Sequence, residues 1–147
     1  MNIALRDYQP QDWTRVCSIH DQARPIELAG SCDPRAFVPL AEDRDDLQQF
    51  QACRKLVACI NDDIVGFVGI NDREIGWLYV DPAEARKGIG RQLLRRCMRE
   101  ISGKTCVFVL DGNQPAINLY QSEGFTIVHR FKSKNNGYPC TVLELSR

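Results

Sequence analysis

Three apolar runs of strand length, "KLVACI", "IVGFVGI" and "EIGWLYV", follow one another between Lys55 and Val80, separated only by "NDD" and "NDR". Connections that short reverse the chain, because parallel neighbours need a crossover of a dozen or more residues. The stretch therefore predicts a three-stranded antiparallel meander. A fourth run, "KTCVFVL", is almost continuously apolar, as expected of a strand covered on both faces. "NIALRDY" before the meander and "TIVHRF" and "TVLEL" after it complete a sheet of about seven strands.

Helical spacing occupies the intervals. Trp13, Val16, Ile19 and Ala23 share one face behind Pro10 and Asp12, and Ile89, Leu93, Cys97 and Ile101 share another. "EDRDDLQQFQAC" reads as a short helix opening on acids, and "QPAINLYQSEGF" as one with proline in its first turn and Gly124 at its end. The pattern predicts an α/β fold, a three-layer sandwich with a mixed, mostly antiparallel central sheet and helices on both faces. "RPIELAGSCDPRAFVPL", residues 24–40, is dense in Pro, Gly, Ser and Asp and reads as a loop, and "KSKNNGYPC", residues 132–140, as a polar turn.

The 147 residues suit one domain spanning 1–147, large enough to hold a core without disulfides or metal. The 19 Lys+Arg balance the 19 Asp+Glu, so no net field draws the chain to nucleic acid or to an anionic membrane. Neither a secretory signal nor a membrane span is legible, and the chain reads as cytoplasmic. Seven cysteines form no C-x-x-C pair, and only His20 and His129 accompany them, so no metal is expected. They read as reduced, small apolar residues. Arg91, Arg95 and Arg99, with Arg96 beside them, read as a solvated helix face.

Chemistry enters with "DPAEARKGIGRQLL", residues 81–94. Gly88 and Gly90 stand where a strand passes through a loop into a helix, whose first-turn N–H groups lack helical partners and carry the positive end of the macrodipole. Glycines there remove the Cβ atoms that would hold a phosphate off those donors. A Rossmann site would have a third glycine at Leu93 and a Walker A loop would run into Gly-Lys-Ser/Thr. Both patterns are missing, which leaves a helix mouth suited to a diphosphate.

"EIGWLYVDPAEARKGIGRQLL" followed by "VFVLDGNQPAINLYQSEGF" resembles the GNAT superfamily of acyl-CoA-dependent N-acetyltransferases over roughly residues 54–145. The resemblance implies acetyl-CoA as co-substrate, with residues 54–125 as its binding core. Leu78, Tyr79 and Val80 would offer backbone groups to the pantetheine arm. The loop Ala85–Gly90 would bind the pyrophosphate through Arg86, Lys87, Gly88, Ile89 and Gly90, assisted by Arg91. Ala85 stands where the family pattern has Arg or Gln. Asn113, Ala116 and Asn118 would adjoin the cofactor, and Tyr120 would protonate the departing thiolate. Glu74 would draw a proton from the amine through water, with Glu27 and His129 as lesser candidates. The acceptor would lie between residues 24–40 and 132–140, near Glu27, Phe37, His129 and Tyr138. The implied activity is direct acetyl transfer to a primary amine of a small molecule, peptide or protein. The alternative is an acyl-CoA-binding regulatory or interaction module without turnover. A thiol-dependent route through Cys140 is a third possibility. By the same analogy the closing strands would meet a second copy of the chain.

Overall fold

The structure, a computed structural model, describes residues 2–147. Seven strands, β1 (Ala4–Asp7), β2 (Arg54–Ile60), β3 (Asp63–Asn71), β4 (Glu74–Val80), β5 (Cys106–Leu110), β6 (Thr126–Asn135) and β7 (Tyr138–Ser146), form one sheet in the order β1-β2-β3-β4-β5-β7-β6. Four α-helices accompany it: α1 (Trp13–Leu28), α2 (Arg44–Ala52), α3 (Ile89–Glu100) and α4 (Gln114–Ser122). Every pairing is antiparallel except β4 with β5. The expected three-layer α/β sandwich is what forms.

Alternation along the strands sorts the core into two layers. Ile75, Val107, Val109, Leu143 and Leu145 face Ile89, Leu93, Leu94 and Cys97 of α3, with Ile117 and Tyr120 of α4. On the other face, Val57, Ile64 and Phe67 meet Val16 and Ile19 of α1 and Phe50 of α2.

Asp12 clamps α1 to the sheet. Its buried carboxylate takes two hydrogen bonds from the Arg6 guanidinium, at 2.8 and 3.0 Å, and one from the Gln9 backbone N–H at 2.8 Å. The bond from Arg6 is the main reason the Asp12 pKa is lowered, and the Gln9 N–H adds to it. A depressed carboxylate contributes stability above its unfolded pKa and loses it as pH falls through the folded value. Asp12→Asn should therefore cost about 1.5–3 kcal/mol of unfolding free energy at neutral pH, and the gap from wild type should close on acidification below about pH 4. Urea melts at both pH values check this, and a pH-independent gap would assign the loss to packing instead.

Two expected loops are more ordered than composition suggests. Residues 24–28 are not loop: α1 runs through Pro25 to Leu28. Proline forfeits its own N–H bond to the preceding turn. The added turn is held instead by the bond from Ala29 N–H to the Pro25 carbonyl, by fully buried Leu28 and by Glu27, whose side chain reaches β4. Within 132–140, strands continue on both sides and only Asn136 and Gly137 turn, with φ of 47° and 87°. Two positive φ values in a two-residue hairpin suit an Asn-Gly turn.

Candidate active site

β4 and β5 begin as parallel neighbours but pair at a single position, Glu74 with Cys106. Beyond it a bulge interrupts the β3–β4 ladder. Trp77 takes φ 55° there, an outlier for a bulky side chain, held by ring contacts to Phe50 at 5.7 Å and His20 at 6.2 Å. Gly69 makes this possible, because a Cβ on it would lie 2.9 Å from Trp77 Cδ1. The bulge turns β4 away from β5 and opens the sheet.

The gap is a cavity of about 630 Å³. Residues 75–80 of β4 and 108–110 of β5 form two walls, the C-terminal turn of α1 a third, and the loop into α3 together with α4 the remainder. At the loop, Arg86 and Gly88 adopt left-handed conformations with φ of 66° and 79°. The first helical bond of α3 runs from Gln92 N–H to the Gly88 carbonyl, so the N–H groups of Ile89, Gly90 and Arg91 precede the helical ladder. A Cβ built on Gly88 would meet nothing within 4 Å, which leaves the approach to those donors open.

Eleven of the anticipated residues line this cavity: Leu78, Tyr79, Val80, Arg86, Gly88, Ile89, Gly90, Asn113, Ala116, Tyr120 and Glu27. Others stand outside the lining. Lys87 is paired with Glu84, and Arg91 bonds to Ser122 and Glu123. Asn118 accepts from Gln114 on the exposed side of α4. Phe37, from the segment that follows α1, and Tyr138 of β7 pack against the cluster of Leu28, Ala36 and Leu110. His129 is exposed on β6, and Glu74 is exposed at the start of β4. The Glu74 carboxyl nevertheless leans over Gly76, a lining residue, with Oε2 3.7 Å from where a Cβ would be. Partial burial, and then the neighbouring Glu144 carboxylate, raise its pKa. Three arginines of α3 are charge-compensated, since Arg95 joins Arg91 on Glu123 and Arg96 approaches Glu100.

The polar centre of the cavity is Glu27. Its Oε1 accepts from the Tyr79 hydroxyl at 3.1 Å and from Arg24, and its Oε2 faces the Asn113 amide at 3.4 Å. Asn113 thus spans from α4 to α1. Tyr120 lies buried beside this group, and its pKa is raised by burial first and by the Glu27 charge second, which keeps the phenol protonated. Trp77, Arg24, Ile26 and Phe108 also line the cavity. Unbroken hydrophobicity in "CVFVL" hid the outward direction of Phe108, and Pro25 hid the helical register that brings Arg24, Ile26 and Glu27 to the same wall.

Residues 13–125 match the Acetyltransferase (GNAT) family. The chain belongs to that family. It is 27% identical over 139 residues to the uncharacterized N-acetyltransferase YafP of Escherichia coli, covering 92% of this chain and 89% of the relative. A GCN5-related N-acetyltransferase structure from Rhodopseudomonas palustris superposes with TM-score 0.87 at 19% identity, over 100% of this chain and 96% of that one. The structure of yncA from Salmonella typhimurium with its cofactor acetyl-CoA superposes with TM-score 0.72 at 21% identity, over 100% of this chain and 94% of that one. The GNAT chain is thus an acyltransferase, and the split sheet and open glycine loop fit acetyl-CoA as its co-substrate. No helix among the described residues is long and apolar enough to cross a membrane.

Proposed function

We propose that this GNAT enzyme transfers acetyl directly from acetyl-CoA to a primary amine, with Tyr120 as general acid and Glu27 as the carboxylate that receives the amine. The observation that carries the reading is the placement of Glu27 and Tyr120 in one cavity, between the opened strands and beside the glycine loop. Acetyl-CoA supplies a thioester there. The N–H groups at the mouth of α3 hold its pyrophosphate, with Gly88 keeping the approach clear. The backbone of Leu78–Val80, freed from β5 by the bulge, takes the pantetheine arm.

An amine with a pKa near ~10 arrives as an ammonium, which docks on Glu27 and yields it a proton. The nitrogen then forms the bond to the acetyl carbon, the carbon–sulfur bond breaks, and Tyr120 gives its proton to the leaving sulfur. The second nitrogen proton restores the phenol. Glu27 is preferred to Glu74 for the first transfer because it lines the cavity, whereas Glu74 stands at the edge and would act through water. None of the seven cysteines lines the cavity, which favours direct transfer over an acyl-cysteine route.

Calorimetric titration with acetyl-CoA, followed in the same sample by thiol release over an amine panel, tests the reading. Binding with release supports it, whereas binding without release favours a module that holds acyl-CoA without turnover. The two carboxylates are separated by substitution. Glu27→Gln should lower kcat/KM for the amine by about 10²-fold with acetyl-CoA affinity unchanged, while Glu74→Gln should lower it by less than about 10-fold. The reverse ranking would return the base role to Glu74.

A further inference from the structure

Glu27 addresses the amine and leaves open what the amine is attached to. Among the described residues four large apolar side chains stand well exposed, and two of them, Ile26 at 63% and Phe108 at 43%, line the cavity from α1 and β5. Phe108 also begins a row of rings. Its centroid lies 6.3 Å from Phe131 in an edge-on arrangement, and Phe131 lies 5.2 Å from His129. Strand register accounts for the row: Phe108, Glu144 and His129 are successive partners across β5, β7 and β6, with Leu110, Val142 and Phe131 as the next rank.

The segment after α1 covers Leu110, Cys140 and Val142 on this face, while α1 and α2 pack over β2 and β3. Phe108 and His129 stay exposed beyond that cover. The charge on this stretch is negative. Glu144 stands between Phe108 and His129, and Glu74 is close enough that the two carboxylates repel. Neither has an ion-pair partner among the described residues, and Arg130, the nearest cation along β6, projects to the opposite side and pairs with Asp111 at 2.8 Å.

We propose that this face docks a basic peptide segment of another protein, whose lysine side chain enters between Ile26 and Phe108 and presents its amine to Glu27. The inference rests on the amine-acetyltransferase reading above and names its substrate class. A lysine matches the entrance in two parts: its methylene stem covers apolar side chains and its ammonium reaches a carboxylate. Flanking arginine or lysine residues meet the unpaired Glu144 and Glu74 and stack on exposed ring faces. A polyamine would leave the aromatic row unused, and a small aromatic amine would leave the carboxylates unused. The covalent step is the one already described: the lysine nitrogen gains the acetyl carbon, the sulfur leaves as the thiol, and Glu27 carries the ammonium proton away.

Thiol release is measured with saturating acetyl-CoA on blocked pentapeptides centred on lysine, flanked by arginine or by glutamate, and on Nα-acetyl-lysine amide, spermidine and phenethylamine. The arginine-flanked peptide should exceed Nα-acetyl-lysine amide in kcat/KM by about 10-fold or more, with the glutamate-flanked peptide below it. Phe131→Ser and Glu144→Lys should each lower kcat/KM for the arginine-flanked peptide by about 5–10-fold. Both variants should leave Nα-acetyl-lysine amide and acetyl-CoA affinity unchanged.

The proposal is overturned if spermidine or phenethylamine is the best acceptor, if the variants weaken every acceptor alike, or if they only convert a dimer to a monomer on gel filtration. Bound acetyl-CoA with no release from any acceptor also overturns it, while the cofactor half of the site stands. Failure to bind acetyl-CoA at all removes the parent reading together with it.

Discussion

Tyr120→Phe is expected to lower kcat by about 10²–10³-fold while leaving acetyl-CoA affinity within about 2-fold, the range in which a positioned acid acts. The substitution is a clean probe because the ring stays in place. Tyr120 is 7% exposed and packs on Phe125 at 5.8 Å, so phenylalanine preserves the contact between α4 and the sheet. What disappears is a proton. In the proposed mechanism, collapse of the tetrahedral intermediate expels a thiolate, and the Tyr120 phenol would neutralise that charge as it develops. Burial, reinforced by the Glu27 carboxylate, raises the phenol's pKa, so Tyr120 remains in its acidic form throughout the range in which an ordinary tyrosine would begin to ionise. The wild-type rate should accordingly show no loss from this group on the alkaline side up to about pH 10. Thiol release against pH, with calorimetry for the cofactor, measures both claims. An unchanged kcat in the folded variant would remove Tyr120 from the chemistry.

Gly88→Val should weaken acetyl-CoA binding by about 10²–10⁴-fold. Two effects combine at this residue. At φ 79° a β-branched side chain adopts a left-handed backbone at a cost of about 1–2 kcal/mol. Its bulk would occupy the open space before the N–H groups of Ile89, Gly90 and Arg91. Losing two hydrogen bonds to a charged phosphate, at about 1.5–3 kcal/mol each, corresponds to the stated range. Gly137→Val is the matched control, because Gly137 has φ 87°, an equally open surrounding and a place in the β6–β7 turn away from the cavity. It should pay the same torsional cost and keep cofactor affinity. Equal loss of affinity in both variants would show that strain, and not phosphate access, is responsible.

The meander, the strand–loop–helix passage at Gly88 and the alternation of helices with strands are legible from order along the chain. Each depends on residues within a few positions of one another: polar turns between apolar runs, a glycine pair before a helical period, proline and glycine at the ends of "QPAINLYQSEGF". The part of the cavity lined by Leu78–Val80, Gly88, Gly90, Ala116 and Tyr120 is readable for that reason, since all of them belong to contiguous motifs. Lys87, Arg91 and Asn118 stand outside the lining, paired with Glu84, Glu123 and Gln114, and pairings of that kind are not written in contiguous motifs.

The α1 wall of the cavity needed the third dimension. Composition marks residues 24–40 as loop, yet packing of Leu28 and the reach of Glu27 to Tyr79 carry α1 one turn past Pro25. A single turn of helix then places Arg24, Ile26 and Glu27 opposite Phe108, which comes from a strand more than 80 positions later. By itself the sequence determined the strands, the glycine mouth of α3 and the family they resemble, because local periodicity and turn chemistry are written in neighbouring residues. Only the tertiary structure decided that Glu27 lines the cavity and Glu74 stands at its edge, because that choice depends on the bulge at Trp77, the parting of β4 from β5 and the burial that holds α1 across the gap.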